Sequence, residues 1–308
     1  MGAFILKRLF QAFIAVFGVL TFVFFLQRLT GDPVALLAPV NTTAEDLERI
    51  RHSLGLDRPL IVQYLDFLWG VVRLDLGRSL AQSIPVSDLI WSRLPYTLWL
   101  AVSSLVFALV LGVPLGVIMA VWRRHKLMAI PSTIVLAGQS LPTFWSGIMF
   151  ILIFAVGLGW LPSSGARTPN SVILPMVALG LFSMATFARV MRTAMIDELS
   201  KDYIRTARAK GVPKNAMIAR HLMRNSLIPL ITMLALELAN LLAGAAVVET
   251  VFAWPGLGQL AVQSIGARDF PVVQGVVLLG AVTAISLNFL ADVLYGAVDP
   301  RIRVGRGG

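Results

Sequence analysis

Six long stretches of the chain are apolar on every side, and they frame everything between them. They run over 9–29, 97–121, 133–160, 172–191, 229–251 and 272–295. A helix needs about 20 mostly apolar residues to cross the hydrocarbon of a bilayer, so each stretch is long enough for one crossing. Helices that are apolar all round offer no polar face to orient them. The pattern therefore predicts an all-α polytopic membrane protein with six transmembrane helices, without saying how they pack. The third stretch is long and carries Pro142, which predicts a kink or tilt inside it.

The polar intervals assign sides. Short cytoplasmic loops are enriched in Lys and Arg. Lys7 and Arg8 precede the first span, Arg123, Arg124 and Lys126 follow the second, nine basic residues lie from Arg189 to Arg224, and Arg301, Arg303 and Arg306 follow the sixth. Together these hold 17 of the 26 basic residues, against only Arg167 and Arg268 in the opposite short loops. Both termini are expected in the cytoplasm. Lys7 and Arg8 before an apolar run also resemble the start of a signal peptide. The run is longer than such a core and no small-x-small cleavage site follows, so an uncleaved first span is expected.

The chain thus divides into a first segment and span (1–29), a large outside loop region (30–95), and a five-helix core (96–308) with a cytoplasmic loop at 192–228. The outside region carries eight acidic residues and six Arg. Within it, Thr43-Ala44-Glu45-Asp46 starts a capped helix that Gly55 would end. A second, amphipathic helix is expected over 59–72 and a short third over 86–93.

Composition narrows the chemistry. The 308 residues are 57% hydrophobic and only 14% charged, with mean hydropathy +0.81; a soluble domain carries nearer a quarter charged residues. With no cysteine, disulfides, thiolate nucleophiles and Cys-ligated metals are excluded. His52, His125 and His221 form no metal-binding pair, and no G-x-x-x-x-G-K-[ST] phosphate loop occurs. Any ATP driving this protein must be bound by another chain. The net charge of +10 follows the loops, so it is a topology signal and no nucleic-acid partner is expected.

Some polar residues fall at membrane depth. Glu237 sits near the middle of the fifth span, with Asn240 on a nearby face. Asn288 and Asp292 are four apart in the sixth and share a face. An intramembrane carboxylate must face the bundle interior or water, so these residues line a substrate pathway or join helices by hydrogen bonds. Ser140 and Pro142 interrupt the third span, and the carbonyl freed by the proline can line a cavity; plain kinking for packing is the alternative.

The most informative segment is 199–229, LSKDYIRTARAKGVPKNAMIARHLMRNSLIP. Ser200 or Asp202 can cap a helix ending near Lys210, Gly211 suits a left-handed turn, and Pro213 fits the first turn of a second helix. Ala207 and Ala209 allow close approach of another protein. Arg205, Arg208 and Lys210 suit an acidic groove, although a basic helix lying on anionic lipid has the same look.

Asp202-Tyr203-Ile204-Arg205-Thr206-Ala207-Arg208-Ala209-Lys210-Gly211 resembles the coupling loop of binding-protein-dependent ABC importer permeases. Arg205-Thr206-Ala207 stands in place of the more general Glu-Ala-Ala, and Pro229 comes late, as in the dipeptide/oligopeptide branch. Further elements resemble the same branch: Gly31-Asp32-Pro33, Leu74 to Ser79, Pro142-Thr143-Phe144, Glu249 to Gly258, Asp269-Phe270-Pro271 and Asp299-Pro300-Arg301. The large loop after the first span is similar to that of the first permease subunit of the pair.

This resemblance implies half of a translocation pore in the bacterial inner membrane, completed by a second permease subunit. Two cytoplasmic ATPases would hold ATP and Mg, an extracytoplasmic solute-binding protein would deliver cargo, and this chain would carry no cofactor and no catalysis. Residues 202–211 would form the ATPase interface. Cargo in this branch spans dipeptides, oligopeptides, glutathione, nickel chelates, haem and some sugars. The rivals are an ion-coupled secondary transporter, which would need internal repeats that are not evident, and a membrane enzyme, for which only a Ser–Lys dyad would remain.

Overall fold

The computed structural model describes residues 2–29, 45, 48, 49, 52 and 57–298. The described residues are helical, with no strand among them beyond an isolated bridge between Arg78 and Pro85. The helices are α1 (Gly2–Leu29), α2 (Leu60–Val72), α3 (Val86–Val121), α4 (Ala129–Ser140), α5 (Thr143–Phe150), α6 (Ile173–Leu199), α7 (Asp202–Ala209), α8 (214–226), α9 (Ile228–Val251), α10 (Leu257–Gly266) and α11 (Phe270–Val298). A π-helical turn at Ile151–Gly157 continues α5, and another interrupts α8 at Ile218–Leu222. Most of the helix expected from residue 43 lies outside the described residues.

Five of the expected spans are single helices long and apolar enough to cross a membrane. The third is not. Helix α4 stops at Ser140, Leu141 is extended, and α5 restarts at Thr143 behind Pro142. The two halves are bent by 110°, a break rather than the kink expected. A residue before proline is driven out of the helical region; Leu141 and Pro142 are both extended, at ψ 128° and 137°, and together carry the break.

The second span also differs. The short helix expected over 86–93 is the start of α3, which continues through Pro95 for 36 residues. At 1.5 Å per residue that is about 54 Å, well beyond the roughly 30 Å of bilayer hydrocarbon. The boundary expected at 95 and 96 therefore falls inside a helix.

Helices α3 and α6 form the centre of the bundle, through small residues. A Cβ on Gly112 would lie 2.5 Å from the carbonyl oxygen of Met184, and one on Gly116 2.5 Å from that of Ala188. Gly180 answers from α6, where a Cβ would meet the carbonyl of Ser104 at 2.8 Å. Such approach between backbones is how membrane helices gain packing without a hydrophobic drive. Around this seam one core joins Leu100, Leu179, Leu241 and Trp254. A second joins Phe187, Met191 and Met195 of α6 to Ile204, Met217 and Leu222 of the following segment.

Candidate functional site

The segment singled out in the sequence folds as a short helix held by one apolar anchor. Ile204 of α7 is fully buried in the second core. Around it Asp202, Tyr203, Arg205, Thr206, Arg208, Ala209 and Lys210 are exposed, while Ala207 is half-buried. The expected cap is not made by Ser200 or Asp202. Lys201 takes the N-cap position without capping the helix through its side chain, and Ser200 ends α6, its hydroxyl donating to the Asp197 carbonyl at 2.6 Å. Asp202 instead pairs with Arg205 one turn on, at 3.4 Å.

The far end of α7 is built as expected. Gly211 has φ +75°. Its N–H donates to the Arg208 carbonyl at 3.0 Å, and the Val212 N–H donates to that of Ala207 at 3.1 Å. These two bonds are the Schellman motif, which satisfies carbonyls that have no partner inside the helix. Pro213 sits immediately before the first turn of α8, where the Met217 N–H donates to its carbonyl.

The start of α7 is fixed by a residue that the sequence reading missed. Glu198, at the end of α6, is buried and accepts hydrogen bonds from Lys201 Nζ, Tyr203 Oη and Asn225 Nδ2. Asn225 also donates to Tyr203 Oη at 3.1 Å. One carboxylate thus ties α6, α7 and α8 together. Tyr203 is exposed as a residue, but partial desolvation of its hydroxyl, helped by the bond to Glu198, pushes that hydroxyl above its ordinary range, so it stays a donor. Four polar residues spread over 27 positions carry no local spacing signal; only their convergence reveals them.

The polar residues at membrane depth do not converge. Glu237 is buried against α6, where Ser183 Oγ donates to it. Asn240, expected on a nearby face, is exposed instead. Asp292 pairs with Arg8 of α1 at 3.1 Å, and exposed Asn288 lines the same shallow cleft. Ser140 and Pro142 are exposed at the break, with the Pro142 carbonyl accepting from the Ser146 N–H at 3.0 Å.

Two motifs on the opposite side form buried joints. Glu249 accepts from Thr97 Oγ1 at 2.7 Å, from the Gly258 N–H at 2.7 Å and from the Gln259 N–H at 3.1 Å. It therefore caps the first turn of α10 from a neighbouring helix. Asp269 accepts from Ser79 Oγ, from the Leu80 N–H at 3.1 Å and from the Ala81 N–H at 3.3 Å. Two sequence elements 190 positions apart are joined by that carboxylate.

Comparison with known proteins gives one answer. Residues 112–304 match the family described as binding-protein-dependent transport system inner membrane component. Residues 1–101 match the N-terminal family of such membrane components. The chain is 43% identical over 301 residues to the glutathione transport system permease protein GsiC of Escherichia coli O6:H1, covering 97% of this chain and 98% of that one. It is 42% identical, with the same coverage, to GsiC of Shigella dysenteriae serotype 1. An inward-facing structure of the MetNI methionine ABC transporter aligns with a TM-score of 0.59 at 24% identity, over 69% of this chain and 97% of that chain. A chain of an amino acid ABC transporter aligns at 0.51 and 18% identity, over 67% of this chain and 92% of that one. Both share the fold. A multi-pass inner-membrane permease of an ABC transport system accounts for the helices, the short α7 and these likenesses together, and the chain belongs to the family of binding-protein-dependent transport system inner membrane components.

Proposed function

We propose that this permease supplies half of an import pore, with α7 as the element that an ATPase grips. The exposed basic face of α7 around a single buried anchor supports that reading. A short helix fixed at both ends, by Glu198 before it and by the Gly211 turn after it, passes a push from outside the bundle directly to α6 and α8. Residues 202–211 form the interface, with ATP and Mg held by two partner ATPases. ATP-driven closure of those partners switches the pore from inward-facing to outward-facing. A second permease subunit completes the pore, and exposed Asn240 on α9 offers it a hydrogen-bonding group.

Both termini and 192–228 lie in the cytoplasm. Region 30–95 receives a cargo-loaded binding protein on the other side, and this chain performs no covalent chemistry. The cargo is a small peptide or similar solute, and the likeness to permeases named for glutathione transport makes glutathione the first to try.

The test is reconstitution of the permease pair with its ATPases and binding protein in proteoliposomes. Cargo-stimulated ATP hydrolysis and uptake that both stop when the partner Walker lysine is replaced support the reading. Uptake that survives that change and follows an ion gradient instead rejects it.

A further inference from the structure

A basic cleft lies where α3 leaves its apolar run, and neither the pore nor the proposed ATPase contact accounts for all of it. Two adjoining cavities of about 500 and 300 Å³ share Arg123, Arg124 and His125. Arg208 of α7 closes one, and Lys126 and Arg192 close the other. The five Lys and Arg residues face no lining carboxylate, and among the described residues none of them forms an ion pair. Five cations gathered without a counter-ion repel one another, so an anion in the cleft would relieve a standing cost.

The surroundings indicate which anion. The cleft spans the end of α3, from Met119 to Trp122, and Trp122, Leu127 and Ile130 at or beside it are exposed apolar side chains. Tryptophan belongs at the membrane–water boundary, with apolar neighbours on the hydrocarbon side. A ligand seated there has its charge among the arginines and apolar surface against Leu127 and Ile130. We propose that this cleft binds the phosphate headgroup of an anionic phospholipid of the adjacent leaflet, its acyl chains covering Leu127 and Ile130. Basic pockets between membrane helices hold acidic headgroups by the same charge logic. Because Arg208 belongs to both α7 and the cleft, the lipid also steadies the last turn of α7.

The test uses the full-length permease in nanodiscs of phosphatidylcholine alone or with a quarter phosphatidylglycerol, with retained lipid counted by native mass spectrometry. The unaltered protein should retain phosphatidylglycerol selectively. Arg124→Gln and Arg192→Gln should each weaken retention about fivefold, the factor for roughly 1 kcal/mol per cation at a membrane surface. Arg124→Lys should keep most of it, and Arg167→Gln, on the opposite short loop, should change nothing. Equal retention by the glutamine variants overturns the proposal. Displacement of the lipid by millimolar inorganic phosphate overturns the lipid as occupant and leaves a free-anion site. Glutamine variants that lose ATPase binding but not lipid make the cleft part of the ATPase face, and so overturn it too. Both leaflets of a nanodisc carry the same lipid, so the outcome does not depend on the sidedness proposed above.

Discussion

The carboxylate of Glu249 fills the space that a side chain on Gly256 would need: a Cβ there would stand 2.1 Å from Oε1. That vacancy lets a residue at the end of α9 reach the first amides of α10, while the Leu257 N–H donates to Thr97 Oγ1 at 2.8 Å. The chain turns back through Ala253, at φ +47°, and Trp254, whose buried indole donates to the Tyr96 carbonyl at 3.0 Å. The joint links α3, α9 and α10 through one acid.

Replacing that acid should therefore be graded. Glu249→Gln keeps one acceptor oxygen for the amides, whereas Glu249→Leu leaves a buried hydroxyl and two half-buried N–H groups unpaired, at up to about 1–3 kcal/mol for each group orphaned. Gly256→Ala should resemble the leucine variant, by pushing the carboxylate away. Thermal unfolding in detergent should rank wild type above Gln and Gln above Leu and Ala. A leucine variant as stable as wild type would show that the cap contributes nothing.

Much of this arrangement was legible in the sequence, and the exceptions share a cause. Spans bounded by loops, such as α9 and α11, were expected within a few residues of where they lie, because apolar length and a helix-start proline suffice. In sequence Pro95 marks the edge of a loop, yet α3 runs through it, since packing of Val86, Leu89 and Ile90 against Leu257 and Val272 holds the earlier turns helical. In sequence the Glu249 to Gly258 run is only a pattern, and its task appears once Thr97 stands beside it. The Gly211 turn was legible because positive φ is a local property, whereas Glu198 meeting Asn225 is a tertiary one. Glu237 and Asn240 differ in burial because neighbouring helices, not their own spacing, decide which side of α9 is covered.

Glu198 should govern how firmly α7 is held. Glu198→Ala leaves Lys201, Tyr203 and Asn225 without their shared acceptor, and Asn225→Ala removes one donor only. Amide exchange across 202–209 should rise roughly 30-fold or more in the first, on the order of 2 kcal/mol, and less in the second. Coupled uptake should fall in the same order, with insertion in the membrane unchanged. Equal exchange in wild type and Glu198→Ala would mean Ile204 alone positions the helix.

Glu237 separates glue from pathway. Its observed partner is Ser183, and a glutamine oxygen still accepts that bond, though more weakly than a carboxylate would. Glu237→Gln should keep assembly and most of the uptake, while Glu237→Leu, which strands the serine hydroxyl, should lower thermal stability by about 1–3 kcal/mol. Loss of uptake by the glutamine variant in an intact complex would make the charge itself part of the pathway.

The proposed sidedness rests on the basic residues alone. Ser164 and Asn215 are both exposed, so cysteines there are accessible to an impermeant thiol reagent, and the chain has no cysteine of its own. Ser164→Cys should label in intact spheroplasts and Asn215→Cys only after the membrane is opened. The opposite result would invert the topology and place α7 away from any ATP.

The turn at Gly211 gives the sharpest test of α7 as the proposed coupling element, because two causes of damage can be told apart there. A Cβ at this position would touch nothing within 4 Å. Any cost of substitution therefore comes from the positive φ and not from a clash. Gly211→Asn should be close to neutral, since asparagine tolerates the left-handed region. Gly211→Val should cost about 1–2 kcal/mol, relieved by unwinding the Schellman turn and letting α7 fray. Ala209→Glu, on the exposed face, leaves the turn intact and opposes an acidic groove. In reconstituted complexes, Val should lower the coupling of hydrolysis to uptake by loosening the lever. Glu should lower ATPase association while amide exchange in α7 stays as in wild type. Wild-type hydrolysis and uptake from both the Val and the Glu variants, at normal expression, would mean that the ATPases grip the permease somewhere other than α7.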